Sequence, residues 1–86
     1  MNITFVPEAW ESYCWWQQHD RQQVKRINHL IKAICRDPLS GIGKPEPLKF
    51  DLQGYWSRRI DQEHRLTYRL TATELVIIEC RYHYSV

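Results

Sequence analysis

No segment of this chain approaches the ~20 consecutive apolar residues that a membrane-spanning helix needs. The N-terminus, MNITFVPEAWE, lacks the basic start and apolar run of a secretory signal. The three cysteines, Cys14, Cys35 and Cys80, are odd in number and widely spaced, with no C-x-x-C. That pattern supports neither a disulfide framework nor a zinc finger, and buried free thiols in a reducing compartment are expected. Repeats, low-complexity segments and long linkers are also missing. The reading is a soluble cytosolic domain, without contact to a membrane. At 86 residues the chain has room for one modest core, so residues 1–86 are expected to form a single domain. A pocket enclosing a large cofactor between two domains is excluded by size, and no cofactor or metal is expected.

Strong charge of either sign is absent as well. Twelve Lys+Arg against ten Asp+Glu give a formal +2, too little to drive tight non-specific binding to nucleic acid. The distribution is more telling. Glu8 and Glu11 come early, and no base precedes Arg21. Arg58, Arg59, Arg65 and Arg69 cluster against only Asp61 and Glu63, and Arg81 and His83 follow. A local cationic surface in the second half is expected. The 43% apolar and 26% charged content is that of a globular protein, which excludes a disordered tail.

Asn2 to Val6 has the β-branched and aromatic content of a short strand. Pro7 suits the first turn of a helix, Glu8 and Glu11 suit its positive end, and the helix should reach about His19. Asp20 is a good N-cap for a second helix, with Gln23 placed as in a capping box. Val24, Ile27, Ile31 and Ile34 recur at helical spacing, with Lys25, Arg26 and Lys32 on the wet side. Asp37-Pro38 ends that helix. Residues 39–47, LSGIGKPEP, read as one irregular loop. Strands are then predicted at Leu48 to Phe50, Tyr55 to Ile60, Arg65 to Leu70 and Leu75 to Tyr84. The predicted fold class is α+β: two N-terminal amphipathic helices packed on one face of a twisted, mainly antiparallel sheet.

Side chains alternate faces along a strand. Leu66, Tyr68 and Leu70 then oppose Arg65, Thr67 and Arg69. In the last strand Val76, Ile78, Cys80 and Tyr82 are assigned to the helices, and Glu79, Arg81 and His83 to the open face. Trp56 and Ile60 face the core, which puts Arg59 and Ser57 on the open face. Polar residues on a half-exposed sheet are ordinary. Several guanidinium groups on one small face also suit phosphate oxygens. Glu46, stiffened between Pro45 and Pro47, reads on spacing alone as a solvated loop carboxylate, with a preorganised general base as the alternative. Glu, Arg and His together suffice for cleavage of RNA through its own 2′-OH without a metal, and residue spacing alone does not choose this chemistry.

Longer runs do choose. They are W-x-x-Y at Trp10 and Tyr13, K-R-I-N at Lys25 to Asn28 and G-x-G-K-P-E-P-L-K at Gly41 to Lys49. G-Y-W-S-R-R-I at Gly54 to Ile60, E-H-R-L at Glu63 to Leu66 and C-R-Y-H-Y at Cys80 to Tyr84 continue the series. In these runs the chain resembles the YoeB-type toxins of bacterial toxin–antitoxin systems, within the RelE-like superfamily, over nearly its whole length. The resemblance implies a fold like that of small microbial ribonucleases. It implies a ribosome-dependent endoribonuclease, an mRNA interferase that cuts mRNA in the ribosomal A site and arrests translation. The family's general base falls on Glu46, its general acid on His83 and its transition-state arginine on Arg65. Supporting positions fall on Lys49, Arg59 and the base-stacking Tyr84. The familiar pattern ends at Tyr84, whereas Ser85 and Val86 follow here. Implied partners are a YefM-type antitoxin, the 30S/70S ribosome with its mRNA, and a second copy in a homodimer. Operator DNA would be met only through the antitoxin complex.

Other residues carry less. His19 and His29 belong on helix surfaces, and His64 is expected to point away from Arg65. At about 100° per residue Trp10, Tyr13 and Cys14 share a face, Trp15 stands nearly opposite and Trp16 is lateral. One helix cannot bury all of these against one sheet, so Trp15 is read as part of an interface, with a partly covered surface residue as the alternative. The competing function is a non-catalytic RNA- or ribosome-binding module that uses Arg59, Arg65, Arg69 and Arg81 for phosphate contact. A metal hydrolase is disfavoured by the lack of ligand spacing.

Overall fold

The computed structural model describes residues 1–82. The chain runs β1 (Asn2–Phe5), α1 (Pro7–His19), α2 (Arg21–Arg36), β2 (Glu46–Pro47), a 3-10 helix (Phe50–Leu52), β3 (Tyr55–Arg59), β4 (Arg65–Leu70) and β5 (Glu74–Glu79). Both α-helices begin and end where their caps predict. Pro7 opens α1, and the Asp20 side chain accepts from the Gln22 and Gln23 amides to open α2. The capping box is only half made. The Gln23 amide group donates to Asp61 at 2.5 Å, and the Asp20 N–H is spent on the Trp16 carbonyl, closing α1. One residue thus ends one helix and starts the next.

The five strands lie in the order β1-β5-β4-β3-β2. Pairs β2–β3, β3–β4 and β4–β5 are antiparallel. The N-terminal strand pairs with β5 in parallel, a pairing made feasible by the two helices that separate them. One face of this sheet is covered by the helices. Trp16, Ile27, Leu30 and Ile34 from the helices meet Leu66, Tyr68, Leu75, Ile77 and Cys80 from the sheet side in one buried cluster. Among the described residues no helix is long and apolar enough to cross a membrane.

Three strand expectations are corrected. The predicted strand at Leu48 to Phe50 does not form, because Phe50 adopts φ 57°, a left-handed conformation that no ladder accommodates. Pairing instead begins inside the presumed loop, at Glu46–Pro47, an outer strand where Pro47 can lack its N–H without harm. The strand predicted from Leu75 to Tyr84 stops at Glu79, whose carboxylate accepts from the Cys80 and Arg81 amides and takes both out of the ladder.

The face assignment of that strand is corrected too. Thr67 pairs with Glu79 but Tyr68 pairs with Ile77, so one extra residue, Ile78, bulges out of β5. The bulge reverses alternation. Leu75 and Ile77 face the helices, Val76 shares a register position with open-face Arg69, and beyond the bulge Cys80 returns to the core. Past the bulge, period-two counting holds for Glu79 and Cys80 but not for Tyr82, which was assigned to the helices and is exposed. The cysteines are free thiols, but only Cys80 is fully buried; Cys14 and Cys35 are half-buried.

Candidate active site

The sheet face away from the helices is built row by row. The register sets Glu46 beside Ser57, Ser57 beside Thr67 and Thr67 beside Glu79, one row across four strands. The neighbouring row pairs Arg59 with Arg65. From there the Arg65 guanidinium reaches across, and its Nη1 donates to Glu46 Oε1 at 3.0 Å and to Ser57 Oγ at 3.4 Å. The Glu46 side chain is 57% exposed, against 17% for Arg65. A largely sheathed guanidinium therefore orients a carboxylate that is open to a ligand.

The loop that leads to Glu46 is held from behind by Arg58. Arg58 is fully buried, on the helix side of the sheet, and does not belong to the cationic surface expected of it. Its guanidinium donates to the carbonyls of Asp37 (2.6 Å), Ser40 (2.9 Å) and Ile42 (3.1 Å), and its Nε to the Tyr68 hydroxyl (3.2 Å). Tyr68 in turn donates to the Pro38 carbonyl at 3.1 Å. These bonds fasten the loop after α2, and the Arg59 amide fastens it again through the Gly43 carbonyl at 2.6 Å. Gly43 is required there. Its φ is +84°, and a Cβ would stand 2.8 Å from a Leu30 methyl and 3.0 Å from Arg58 Cβ. The alternation that assigns Trp56 and Ile60 to the core also assigns Arg58 to it, so the signal was present in the sequence.

Burial pushes the Tyr68 phenol above its ordinary value, and the Arg58 charge offsets only part of that. The Ser40 hydroxyl and Leu39 amide hold the Asp37 carboxyl below the usual range, against slight burial. Asp61 is a contest: burial opposes its ionisation, but the amides of His64 and Glu63 and the Gln23 side chain outweigh burial and lower its value.

The remaining candidates divide. Arg59 has an exposed side chain on a fixed backbone, with its carbonyl accepting from Arg26 at 3.0 Å. Lys49 is exposed at the start of the 3-10 helix. Arg69 is exposed on the open face. Arg81 leaves that face, contrary to expectation. Its guanidinium lies 3.5 Å from the centre of the Trp15 ring, and His19 stacks on the same indole at 4.0 Å. Trp15 is therefore half-buried, with part of its ring covered by the chain's own Arg81 and His19. The more exposed indole is Trp10, at 51%. His64 is buried, with its Nδ1 2.9 Å from the Arg81 carbonyl and its ring edge on Trp16, and has a structural role. His19 and His29 are on exposed helix positions as expected.

His83 and Tyr84 lie outside the described residues, as do Ser85 and Val86. The chain leading to them is well fixed. The Arg65 amide donates to the Tyr82 carbonyl at 2.9 Å, and Trp16 Nε1 donates to the Cys80 carbonyl at 2.9 Å. The last described residue, Tyr82, is thus held by the Arg65 backbone. Two features were missed by sequence reasoning. Glu79 acts as a cap for the chain turn at Cys80–Arg81. Thr67 Oγ1 is buried in the middle of the row without a hydrogen-bond partner. Among the described residues no group of three or more His, Cys, Asp or Glu side chains could hold a metal ion.

A family model described as the YoeB-like toxin of bacterial type II toxin–antitoxin systems matches residues 5–84. The chain belongs to the YoeB toxin family. A YoeB toxin of Synechocystis sp. is 60% identical over 85 residues, 99% of each chain. A YoeB dimer from Staphylococcus aureus superposes with a TM-score of 0.92 at 53% identity, covering 98% of each chain. A heterotetrameric YoeB–YefM toxin–antitoxin complex from the same organism gives 0.91 at 53% identity, again over 98% of each chain. The α+β arrangement of two helices on one face of a mainly antiparallel sheet is thus that of the RelE-like toxins.

Proposed function

We propose that this YoeB-family toxin is a ribosome-dependent endoribonuclease that cuts mRNA in the ribosomal A site and so inhibits translation. The observation that carries the proposal is the 3.0 Å contact between Glu46 and Arg65 on the open face of the sheet. It unites an accessible carboxylate and a guanidinium on the sheet face away from the helices.

The proposed step runs as follows. A backbone phosphate exchanges for Glu46 as the partner of Arg65, since guanidinium and phosphate match bidentately. Glu46, freed of that bond, takes the proton of the adjacent ribose 2′-OH. The 2′-oxygen forms a bond to phosphorus in line with the 5′-oxygen, and the P–O5′ bond breaks. His83, as imidazolium, gives its proton to the departing 5′-oxygen. The products are a 2′,3′-cyclic phosphate and a 5′-hydroxyl. Arg65 and Arg59 stabilise charge on the phosphoryl oxygens, with Lys49 in support, and Tyr84 stacks on a base. Each acid–base transfer is worth roughly 10²–10⁴ in rate. Removing one electrostatic donor costs on the order of 10²–10³. No cofactor enters. The part given to His83 rests on the family resemblance.

The same reading makes residues 1–86 one toxin domain of the bacterial cytoplasm that acts as a homodimer and is restrained by a YefM-type antitoxin. The YoeB relatives solved as a dimer and as a YoeB–YefM complex support those two partners. Primer extension on translated mRNA tests the function. Wild-type protein should give a cut inside or beside the A-site codon, and Glu46→Gln should give none. Equal cutting of naked and ribosome-bound message would overturn ribosome dependence.

A further inference from the structure

Phe50 is the most exposed large apolar side chain among the described residues, at 78%. It belongs neither to the core cluster nor to the half-buried residues packed on it. Its backbone has φ 57°, a conformation that a bulky L residue adopts only against steric resistance. Glycine supplies a positive φ without strain four positions later, where Gly54 has φ +95° and nothing within 4 Å of where a Cβ would stand. At position 50 the chain instead holds an aromatic ring out in water. Strain of that kind persists at functional sites, where the surrounding structure enforces it. The enforcement is visible here. The Leu52 amide donates to the Lys49 carbonyl at 3.1 Å, and the Gln53 amide to the Phe50 carbonyl at 3.0 Å. Before the turn, the Leu48 amide donates to the Tyr55 carbonyl at 2.8 Å, which extends the Glu46–Ser57 register by two residues. Leu48, Tyr55 and Arg69 therefore form the next row on the face that carries Glu46, roughly 7 Å along the strands. Phe50 follows at the margin of that row, within about 14 Å of chain from Glu46.

We infer that Phe50 is a stacking platform for one nucleobase of the message near the scissile phosphate, and that it thereby fixes the register in which the message is presented to Glu46. The inference rests on the endoribonuclease reading above and names a base-contacting residue for that same site. Every nucleobase has a flat π face, so an aromatic ring holds a single strand without regard to sequence. Such a platform works beside cations that track the backbone. Lys49 precedes the ring and Arg69 lies in the neighbouring row, and both are exposed. A protein partner seated on Phe50 would want further apolar surface around it. The exposed neighbours in the turn are instead Lys49, Asp51 and Gln53, a polar surround that leaves the ring alone as the apolar contact. A fixed backbone also matters, because a ring already held in place loses little freedom when a base settles on it.

The test is single-turnover cleavage on programmed ribosomes by the full-length protein, Phe50→Gly and Phe50→Tyr. Messages are intact or abasic at each A-site nucleotide in turn. Phe50→Gly should cut intact message roughly tenfold more slowly, or worse. Its Tm should stay level or rise, because glycine relieves the positive φ, whereas loss of a merely structural contact would lower both. Phe50→Tyr keeps a ring and should cut as wild type does. At one abasic position wild type should slow by a factor similar to that of Phe50→Gly, and Phe50→Gly should slow no further there. Wild-type rates from Phe50→Gly would overturn the inference, as would losses that multiply at every abasic position. A loss confined to antitoxin or dimer affinity would overturn it too and assign the ring to a protein contact. If wild type cuts nothing, the endoribonuclease reading fails by itself. The same set of proteins and messages, with 2′-deoxyribose throughout the A-site codon, is then compared by affinity for the programmed ribosome. A shared, non-multiplying loss there upholds the platform, and unchanged or multiplying affinities overturn it.

Discussion

Replacing Arg58 by Met tests the claim that one buried guanidinium fixes the loop that bears Glu46. Arg58 donates four hydrogen bonds, to three loop carbonyls and the Tyr68 hydroxyl, and is 0% exposed. No carboxylate pairs with it within salt-bridge distance among the described residues. It lies instead against the C-terminal end of α2, whose carbonyls supply the negative field. At roughly 1 kcal/mol each, the four bonds sum to about 4 kcal/mol. The loop carbonyls can regain some water, and Met is spared the desolvation of a buried charge, so the net loss is about 3 kcal/mol. For a domain of this size each kcal/mol lowers Tm by roughly 4–8 °C, which predicts a fall of about 12–24 °C. Circular dichroism melts give the number directly. A fall of less than about 4 °C, corresponding to under ~1 kcal/mol, would refute the reasoning. Below its Tm the variant should also cleave less than its folded fraction accounts for, because Glu46 is no longer presented to the site.

Other outcomes follow from the same contacts. Arg65→Gln removes a part-exposed ion pair and should cost no more than about 1 kcal/mol of stability, yet lower cleavage by roughly 10²-fold; equal losses in both would contradict a site role. Cys80 is pushed up to about 12 by burial and by the Glu79 charge, so at neutral pH a native thiol titration should find Cys14 and Cys35 reactive and Cys80 silent until unfolding. Three fast thiols would contradict that burial. The folded value of Asp61 lies below 3.8, so the unfolded chain takes up the proton first as pH falls. Its stabilisation is complete above the unfolded value and is lost as pH drops through the folded one. Asp61→Asn should therefore differ from wild type in Tm more at pH 7 than at pH 3, and an equal difference at both would count against the assignment.

How far the sequence could be read depended on whether the deciding contacts were local. Pro7, Asp20 and the Asp37-Pro38 pair act within a few residues, and both helices fall where they require. Clean alternation gave Arg65–Leu70 its limits. Counting by two failed in β5, because the bulge at Ile78 is a property of the pairing with β4 and not of the residue run. Glu46 was ambiguous by spacing for the same reason: its place beside Ser57 comes from pairing with a strand nine residues later. Resemblance to a family singled it out, and the bond to Arg65 supplies a physical reason. Arg81 misled because the strand ends two residues before it, after which its cation follows an indole ring. Arg58 shows the opposite case, a charge counted with the cationic surface although it shares the core parity of Trp56 and Ile60.

The most direct measurement is the single-turnover rate of message cleavage on programmed ribosomes by wild type, Glu46→Gln and His83→Gln, with ribosome binding of each protein measured alongside. Loss of a proton-transfer group should slow cleavage by roughly 10²-fold or more in either variant, with binding unchanged and a 2′,3′-cyclic phosphate on the residual product. Cleavage at the wild-type rate by either variant would contradict the account.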